Sequence, residues 1–182
     1  MVTKKPMVKQ YWLLLVIFLI ALGLRVGFVL TLENKFYFPD SYQYDTVAQN
    51  IISGNGFMVS ENLRAGRPPA YPLFLSISYL LFGKSLFVIR FIQALLSTLS
   101  CLVVYLIGKK VFDQRTGLIA AVITAIYPFF IFFSGLILTE TIFILLLLVF
   151  IYLLINLEQR GNIWLAVLAG VINGVAILTR AS

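Results

Sequence analysis

Proton chemistry in this chain must rest on carboxylates. The sequence contains no histidine, which removes the commonest general base and the commonest metal ligand. It contains seven acidic residues, namely Glu33, Asp40, Asp45, Glu61, Asp113, Glu140 and Glu158.

Two of these carboxylates have positions that suggest a function. Asp40 opens a helical pattern, where it is either a general base or a helix N-cap that stabilises the helix by about 1 kcal/mol, and the two roles are compatible. Glu140 lies at the end of an apolar block with no other charge nearby, so it is either an active-site acid or a charge solvated at a membrane boundary. Asp45 lies on the polar face of the helix that Asp40 opens, and we expect it to be solvated.

Three arginines are placed where a cation could matter. Arg67 and Arg90 could reach a lipid phosphate, although Arg90 could equally anchor the outer end of its span. Arg25 lies inside an apolar block, where it is either functional or extends its charged end to the interface. The single cysteine, Cys101, is also inside an apolar block, and we interpret it as packing.

The composition is that of a membrane protein. Hydrophobic residues make up 61% of the 182 residues, charged residues only 12%, and the mean hydropathy is +1.00. A water-soluble chain of this length could not bury so much apolar surface in one core. The net charge of +7 does not indicate nucleic-acid binding, because the basic residues flank apolar blocks instead of forming one patch.

The apolar blocks predict an all-α, polytopic transmembrane helical bundle. A span needs ~20 apolar residues, and the predicted spans cover about 11–32, 86–108, 117–138, 141–157 and 163–178. Basic residues, including Lys4 and Lys5, are densest in the short segments 1–10, 109–116 and 157–162, which should be cytoplasmic. The amino terminus is then inside, and the loop 33–85 and Glu140 are outside. Because residues 1–182 stop as a span ends, we expect the amino-terminal part of one transmembrane domain.

Two short interfacial helices are predicted in the outer loop. In the first, Asp40 at the N-cap and Gln43 at N3 would form a capping box, and Gly54 and Gly56 would end the helix. Its apolar stripe should lie among the lipid headgroups; it consists of Tyr44, Val47, Ala48, Ile51 and Ile52. The second follows a proline-rich segment and runs over 73–82, which is too short to cross a bilayer, so it is either interfacial or re-entrant.

The order and spacing of several motifs are informative together. They are Asp40 with Tyr44 four residues later, Arg67-Pro68-Pro69-Ala70-Tyr71-Pro72, Leu81-Phe82-Gly83, Arg90, Gly108-Lys109-Lys110-Val111-Phe112, Tyr127-Pro128-Phe129 and Thr139-Glu140. This series resembles the GT-C membrane glycosyltransferases, specifically the dolichyl-phosphate-mannose protein mannosyltransferase and lipid A aminoarabinose transferase-like group.

The resemblance implies transfer of a hexosyl or pentosyl group from a polyprenyl-phosphate donor to a lipid, glycan or protein acceptor, with inversion, at the outer face of a bacterial or archaeal cell membrane. Asp40 matches the acid that serves the acceptor hydroxyl, as base or through a divalent cation, and Glu140 matches a second acidic position. Many relatives have Asp-Glu where this chain has Asp40-Ser41. Candidate contacts to the donor phosphate or substrate are Arg67, Arg90 and Tyr44. We expect no activity from the 182-residue chain alone.

The alternative is a non-enzymatic membrane protein such as a transporter or lipid flippase. Transporters often contain repeated halves and breaks in the middle of spans. This sequence shows no internal repeat, and its polar detail is concentrated on one side of the membrane. That distribution favours surface chemistry on a lipid headgroup.

Overall fold

The computed structural model describes residues 7–60, 63–64 and 66–180, and helices dominate this part of the chain. Lys4, Lys5 and Glu61 lie outside the described residues. The helices are α1 (Met7–Thr31), α2 (Pro39–Ile52), α3 (Ala70–Phe82), α4 (Leu86–Val111), α5 (Gln114–Ile126), α6 (Pro128–Ser134), α7 (Glu140–Arg160) and α8 (Ile163–Thr179). A short antiparallel hairpin, β1 (Met58–Ser60) with β2 (Leu63–Arg64), follows α2. The prediction of an all-α membrane helical bundle is confirmed.

The described helices differ in their capacity to span a bilayer. Three are long and apolar enough to cross alone: Trp12–Thr31 within α1, α4 and α7. The pair α5 and α6 is long enough only when the two are taken together, and the pair is bent by 53°. The apolar helices α3 and α8 are shorter, with 13 and 17 residues. We call the end of the bundle that carries residues 33–85 the loop end.

The predicted span 117–138 is divided in two at Tyr127. Pro128 has no N–H, so it cannot donate to the carbonyl of Thr124 four residues earlier, and α5 ends there. Arg25 on α1 supplies the missing donors, because its Nη2 donates to the Thr124 carbonyl (3.2 Å) and its Nη1 to the Ala125 carbonyl (3.0 Å). The guanidinium thus stabilises the backbone groups that the proline leaves open.

Arg25 does not extend to the interface. Its side chain is fully buried, and Nε donates to Ser97 Oγ on α4 at 2.8 Å. Nη2 also approaches the sulfur of Cys101, at 3.6 Å. The extension to lipid headgroups that the sequence left open for this arginine is therefore wrong, and Arg25 joins α1, α4 and α5 inside the bundle.

The other end of the bundle is held by a close helix crossing. A Cβ at Gly108 would lie 2.8 Å from the Cα of Gly117, so α4 and α5 touch through their backbones. Nearby, Lys110 donates to the side-chain oxygen of Asn156 and thereby links α4 to α7.

The two helices of the loop pack on each other. Tyr44, Val47 and Ala48 are buried, and Tyr44 and Ala48 belong to the same apolar cluster as Leu75 and Tyr79 of α3. The prediction that this stripe lies among lipid headgroups is therefore wrong for its central residues, since α3 covers them. The opposite face of α3 is apolar and exposed, as an interfacial helix requires, and it includes Leu73, Ile77, Leu80 and Leu81.

Candidate active site at the loop end of the bundle

Asp40 lies in the first turn of α2, but it does not cap the helix. The N-cap is Phe38, which has no side-chain oxygen, and Pro39 occupies the first helical position. The predicted capping box of Asp40 and Gln43 is therefore wrong. The Asp40 side chain is half exposed, and its carboxylate is free to pair with a side chain outside α2.

Arg67 holds both side chains that the capping box would have used. Its Nη2 donates to Asp40 Oδ1 at 2.5 Å, and its Nε donates to Gln43 Oε1 at 2.7 Å. The guanidinium also lies over the ring of Tyr44, with 5.4 Å to the ring centroid. These contacts bring the proline-rich segment before α3 onto the first turns of α2.

Glu140 is the first residue of α7, where the positive end of the helix dipole favours a carboxylate. Its Oε1 accepts from Nη1 of Arg180, at 3.2 Å, and Arg180 follows α8. Its Oε2 is buried, and no group in the described part of the chain hydrogen-bonds to it. Glu140 therefore keeps one acceptor atom uncommitted.

Tyr44 is close to both candidate acids. Burial raises the pKa of its phenol, the charge of Arg67 opposes this, and the charges of Asp40 and Glu140 raise the pKa further. Its hydroxyl also interacts with the side chain of Thr139, the residue before Glu140. One small region thus contains both predicted acids and both Tyr44 and Arg67.

Arg90 has a different set of partners. It is buried, and its two terminal nitrogens donate to the backbone carbonyls of Glu33 (2.8 Å) and Lys35 (2.6 Å). Its guanidinium also lies 5.6 Å from the ring centroid of Tyr37. In this structure Arg90 therefore fixes the segment that leads from α1 into α2.

Asp45 is buried, so the prediction that it is solvated is wrong. Its Oδ1 accepts from the hydroxyl of Tyr79 at 2.8 Å, and its Oδ2 accepts from Lys84 at 3.1 Å and from Gln49 at 2.6 Å. The helical pattern of α2 alone could not show this burial, because the covering residues come from α3 and the segment after it.

A dedicated cation site is not assembled by the residues that the structure describes. No three carboxylate, thiol or imidazole groups come together among them. Each of the two candidate acids instead pairs with an arginine.

Sequence reasoning missed Arg180 and the buried amide of Gln93. Arg180 was read only as the end of a span, although opposite charges at the start of α7 and the end of α8 are the signal of a contact across an antiparallel helix pair. Gln93 accepts from the Tyr71 hydroxyl at 2.6 Å and donates to the Leu136 carbonyl at 2.5 Å. A polar amide inside an apolar span was the available signal.

The helical membrane bundle with two acid–arginine pairs at one end is consistent with the class of GT-C membrane glycosyltransferases, and the family match shows that class. The family of dolichyl-phosphate-mannose-protein mannosyltransferases matches residues 66–182, and the chain belongs to this family.

Two curated relatives are similar to this chain. An uncharacterized protein of Aquifex aeolicus (strain VF5) is 25% identical over 181 residues, which cover 96% of this chain and 35% of the relative. The undecaprenyl phosphate-α-4-amino-4-deoxy-L-arabinose arabinosyl transferase 2 of Pseudomonas fluorescens (strain Pf0-1) is 32% identical over 130 residues, which cover 68% of this chain and 22% of the relative. The chain therefore spans about a third or less of the length of these relatives.

Proposed function

We propose that this chain forms part of the catalytic centre of an enzyme that transfers a sugar from a polyprenyl-phosphate donor to an acceptor at the outer face of a bacterial or archaeal cell membrane. The observation that carries the proposal is the meeting of Asp40–Arg67 with Glu140–Arg180 around Tyr44. The family membership and the relative named as an undecaprenyl phosphate-α-4-amino-4-deoxy-L-arabinose arabinosyl transferase support a lipid-phosphate donor.

In this reaction Asp40 is the general base. The acceptor hydroxyl attacks the anomeric carbon of the donor, its proton passes to the Asp40 carboxylate, and the bond between that carbon and the phosphate oxygen breaks. The electron pair of the broken bond leaves with the polyprenyl phosphate. Attack from the face opposite the phosphate inverts the anomeric carbon. A positioned base of this kind contributes roughly 10²–10⁴-fold in rate.

The arginines serve the leaving group. A guanidinium binds phosphate oxygens through charge-assisted hydrogen bonds, which compensate the charge that develops on the departing phosphate. Arg67 and Arg180 are both partly exposed and can exchange a carboxylate partner for the phosphate. Glu140, with its uncommitted Oε2, is the second acid and orients the acceptor. Arg90 acts indirectly, because it fixes the backbone segment that precedes α2.

The topology we propose has the amino terminus in the cytoplasm and the loop end outside. The acceptor is a lipid, glycan or protein, and the transferred sugar is a hexose or pentose. A transporter or flippase would instead depend on residues deep in the spans, whereas the paired ionised groups here are at one end of the bundle.

The test is Asp40→Asn in the full-length protein, with transfer from an undecaprenyl-phosphate sugar as the assay. Asparagine is nearly isosteric and can still accept a hydrogen bond from Arg67, but it cannot take a proton. We expect transfer to fall by at least ~10²-fold at saturating donor, with unchanged melting.

The matched control is Glu33→Gln, which removes another carboxylate of the same loop. Glu33 is exposed and, among the residues that the structure describes, its carboxylate pairs with Lys35 two positions later, so this variant should retain transfer within about twofold. Activity of Asp40→Asn within a few-fold of wild type would exclude Asp40 as the base.

A further inference from the structure

Gln93 is a fully buried amide within the membrane span α4. It lies seven residues after Leu86, where α4 begins, which places it roughly 10 Å along the helix at 1.5 Å per residue. At that depth an amide is costly unless its polar atoms are paired. Its oxygen accepts from the Tyr71 hydroxyl (2.6 Å), and its nitrogen donates to the carbonyls of Leu136 (2.5 Å) and Ser134 (3.5 Å).

The Leu136 carbonyl belongs to the turn that leads into Glu140, and the Ser134 carbonyl belongs to the last residue of α6, just before that turn. Residues 135–139 lie between α6 and α7, are not helical, and are almost entirely buried. Non-helical backbone at membrane depth is tolerated only where protein groups satisfy it. Gln93 supplies those donors, and Thr141 adds a hydrogen bond from its hydroxyl to the Phe133 carbonyl at 3.0 Å.

The other partner of Gln93 leads to Asp40. The ring of Tyr71 packs edge-on against the ring of Tyr44, with 5.0 Å between centroids. Tyr44 is one helical turn after Asp40 and interacts with Thr139. A continuous series of contacts therefore runs from the helix that carries Asp40, through Tyr71 and Gln93, to the turn that precedes Glu140.

We propose that Gln93 is a positioning residue of the transfer reaction, which together with Tyr71 fixes the separation of Asp40 from Glu140. This inference rests on the proposed function. Gln93 touches no reacting atom and acts through the Leu136 carbonyl and the Tyr71 hydroxyl. Its effect must therefore appear in the rate of the chemical step, since a displacement of about 1 Å at reacting groups can cost ~10²-fold.

The test is Gln93→Met in the full-length protein, because methionine keeps the shape of the side chain and removes all three hydrogen bonds. We expect kcat to fall at least ~10-fold, while KM for an undecaprenyl-phosphate sugar stays within about threefold, because Arg67 and Arg180 are untouched. Gln93→Glu keeps an acceptor for Tyr71 and, when protonated, one donor for Leu136. The loss of kcat in Gln93→Glu, expressed as a logarithm, should therefore be at most half of the loss in Gln93→Met.

Asn156→Leu is the matched control, since Asn156 is also a buried amide in a span and bonds to Lys110 and to the Tyr152 carbonyl at the other end of the bundle. It should lower the melting temperature as Gln93→Met does, yet keep kcat within about twofold. Equal losses of kcat in the two variants, or a rise in KM alone for Gln93→Met, would overturn the inference.

A second readout does not require transfer. In hydrogen–deuterium exchange, Gln93→Met should increase exchange in 135–141 and at the start of α3, and Asn156→Leu should not. Unchanged exchange in 135–141 contradicts the inference even if the protein is active. Failure of the proposed function would look different. The Asp40→Asn variant would be fully active, while Gln93→Met and Asn156→Leu would still show the expected exchange pattern.

Discussion

Each candidate acid is matched with an arginine that lies far away in the sequence. Asp40 and Arg67 are 27 positions apart, and Glu140 and Arg180 are 40 apart. At the membrane surface such pairs are only weakly stabilising, since water and ions compete for both partners. Weak pairing suits a site in which an arginine must exchange a carboxylate for a substrate phosphate.

The buried carboxylate Asp45 has the opposite character. It accepts hydrogen bonds from Tyr79, Lys84 and Gln49 and is closed off from solvent. A buried charge that loses a partner is strongly destabilising, because the remaining charge is neither paired nor solvated. We therefore assign Asp45 to holding α3 on α2, and not to catalysis.

The Tyr79–Asp45 hydrogen bond predicts a pH dependence of stability. The pKa of Tyr79 is raised, chiefly by burial and then by the hydrogen bond to Asp45 and its charge. An unfolded tyrosine ionises near pH ~10. Stabilisation by protonated Tyr79 is thus fully present below that pH and is lost as pH rises further, because only the unfolded chain releases the proton.

The measurement compares the melting of wild type and Tyr79→Phe across pH. We expect the variant to be less stable by about 1.5–3 kcal/mol from pH 6 to pH 9, since it lacks a hydrogen bond to a charged group. Above pH ~10 the difference should shrink. A constant difference up to pH 11 would contradict the raised pKa.

Among the elements, the broken helix pair α5 and α6 depends on another helix. Pro128 ends α5, and the carbonyls exposed by that break receive their hydrogen bonds from Arg25 of α1. Ser97 of α4 extends the same network, because its hydroxyl accepts from Arg25 and donates to the Phe130 carbonyl at 3.2 Å. A bend of 53° is therefore stabilised by two neighbouring helices.

The contact of α4 with α5 yields a prediction about Gly117. A Cβ at this position would lie 2.7 Å from the carbonyl oxygen of Tyr105 and 2.8 Å from the backbone nitrogen of Lys109. Backbone atoms cannot move aside as a flexible side chain can, so the helices must separate. Gly117→Ala should therefore destabilise the protein by about 1–3 kcal/mol, measured by thermal unfolding in detergent.

The control is Gly170→Ala in α8, where a Cβ would meet no atom within 4 Å. This variant should be neutral or more stable by up to about 1 kcal/mol, because alanine loses less backbone entropy in a helix. Equal melting of the two alanine variants would mean that the close approach of α4 to α5 is unimportant.

At the scale of the whole molecule, both acid–arginine pairs lie at the same end of the bundle. The α7–α8 pair starts from Glu140 at that end, turns at Gly161 and returns to Arg180. Gly161 has a φ of 60°, a left-handed conformation that closes the helix and permits the tight turn. Sidedness can therefore be tested with residues at the loop end and at the Gly161 end.

We predict that the loop end is outside and the Gly161 end is inside. Single cysteines replace the exposed residues Ser53, Gln114 and Asn162 in a Cys101→Ser background. An impermeant thiol reagent should label position 53 in intact cells, and positions 114 and 162 only after permeabilisation. Ser41 and Thr139 are unsuitable labelling sites, because both are buried. Labelling of position 114 or 162 in intact cells would contradict this prediction and show that the Gly161 end is outside.

The sequence by itself determined the membrane class, the helical architecture and the candidate acids. Long apolar blocks require helices because lipid offers no partner for backbone groups, so hydropathy is enough to predict a helical bundle. Motif order was enough to predict the family. Both signals are local or nearly local along the chain, which is why they could be recognised without coordinates.

Only the tertiary structure decided which polar groups meet. The capping box at Asp40 and the solvated Asp45 were predicted from each residue's own helix, and both predictions are wrong. Of the two alternatives left open for Arg25, the structure excludes the extension to the interface. Arg67 donates hydrogen bonds to Asp40 and Gln43, and α3 covers Asp45. Arg25 donates to a backbone carbonyl that Pro128, on another span, leaves without its helical partner. The physical reason is that a buried polar atom bonds to whichever partner the packing brings within about 3 Å, and packing joins residues that the sequence keeps far apart.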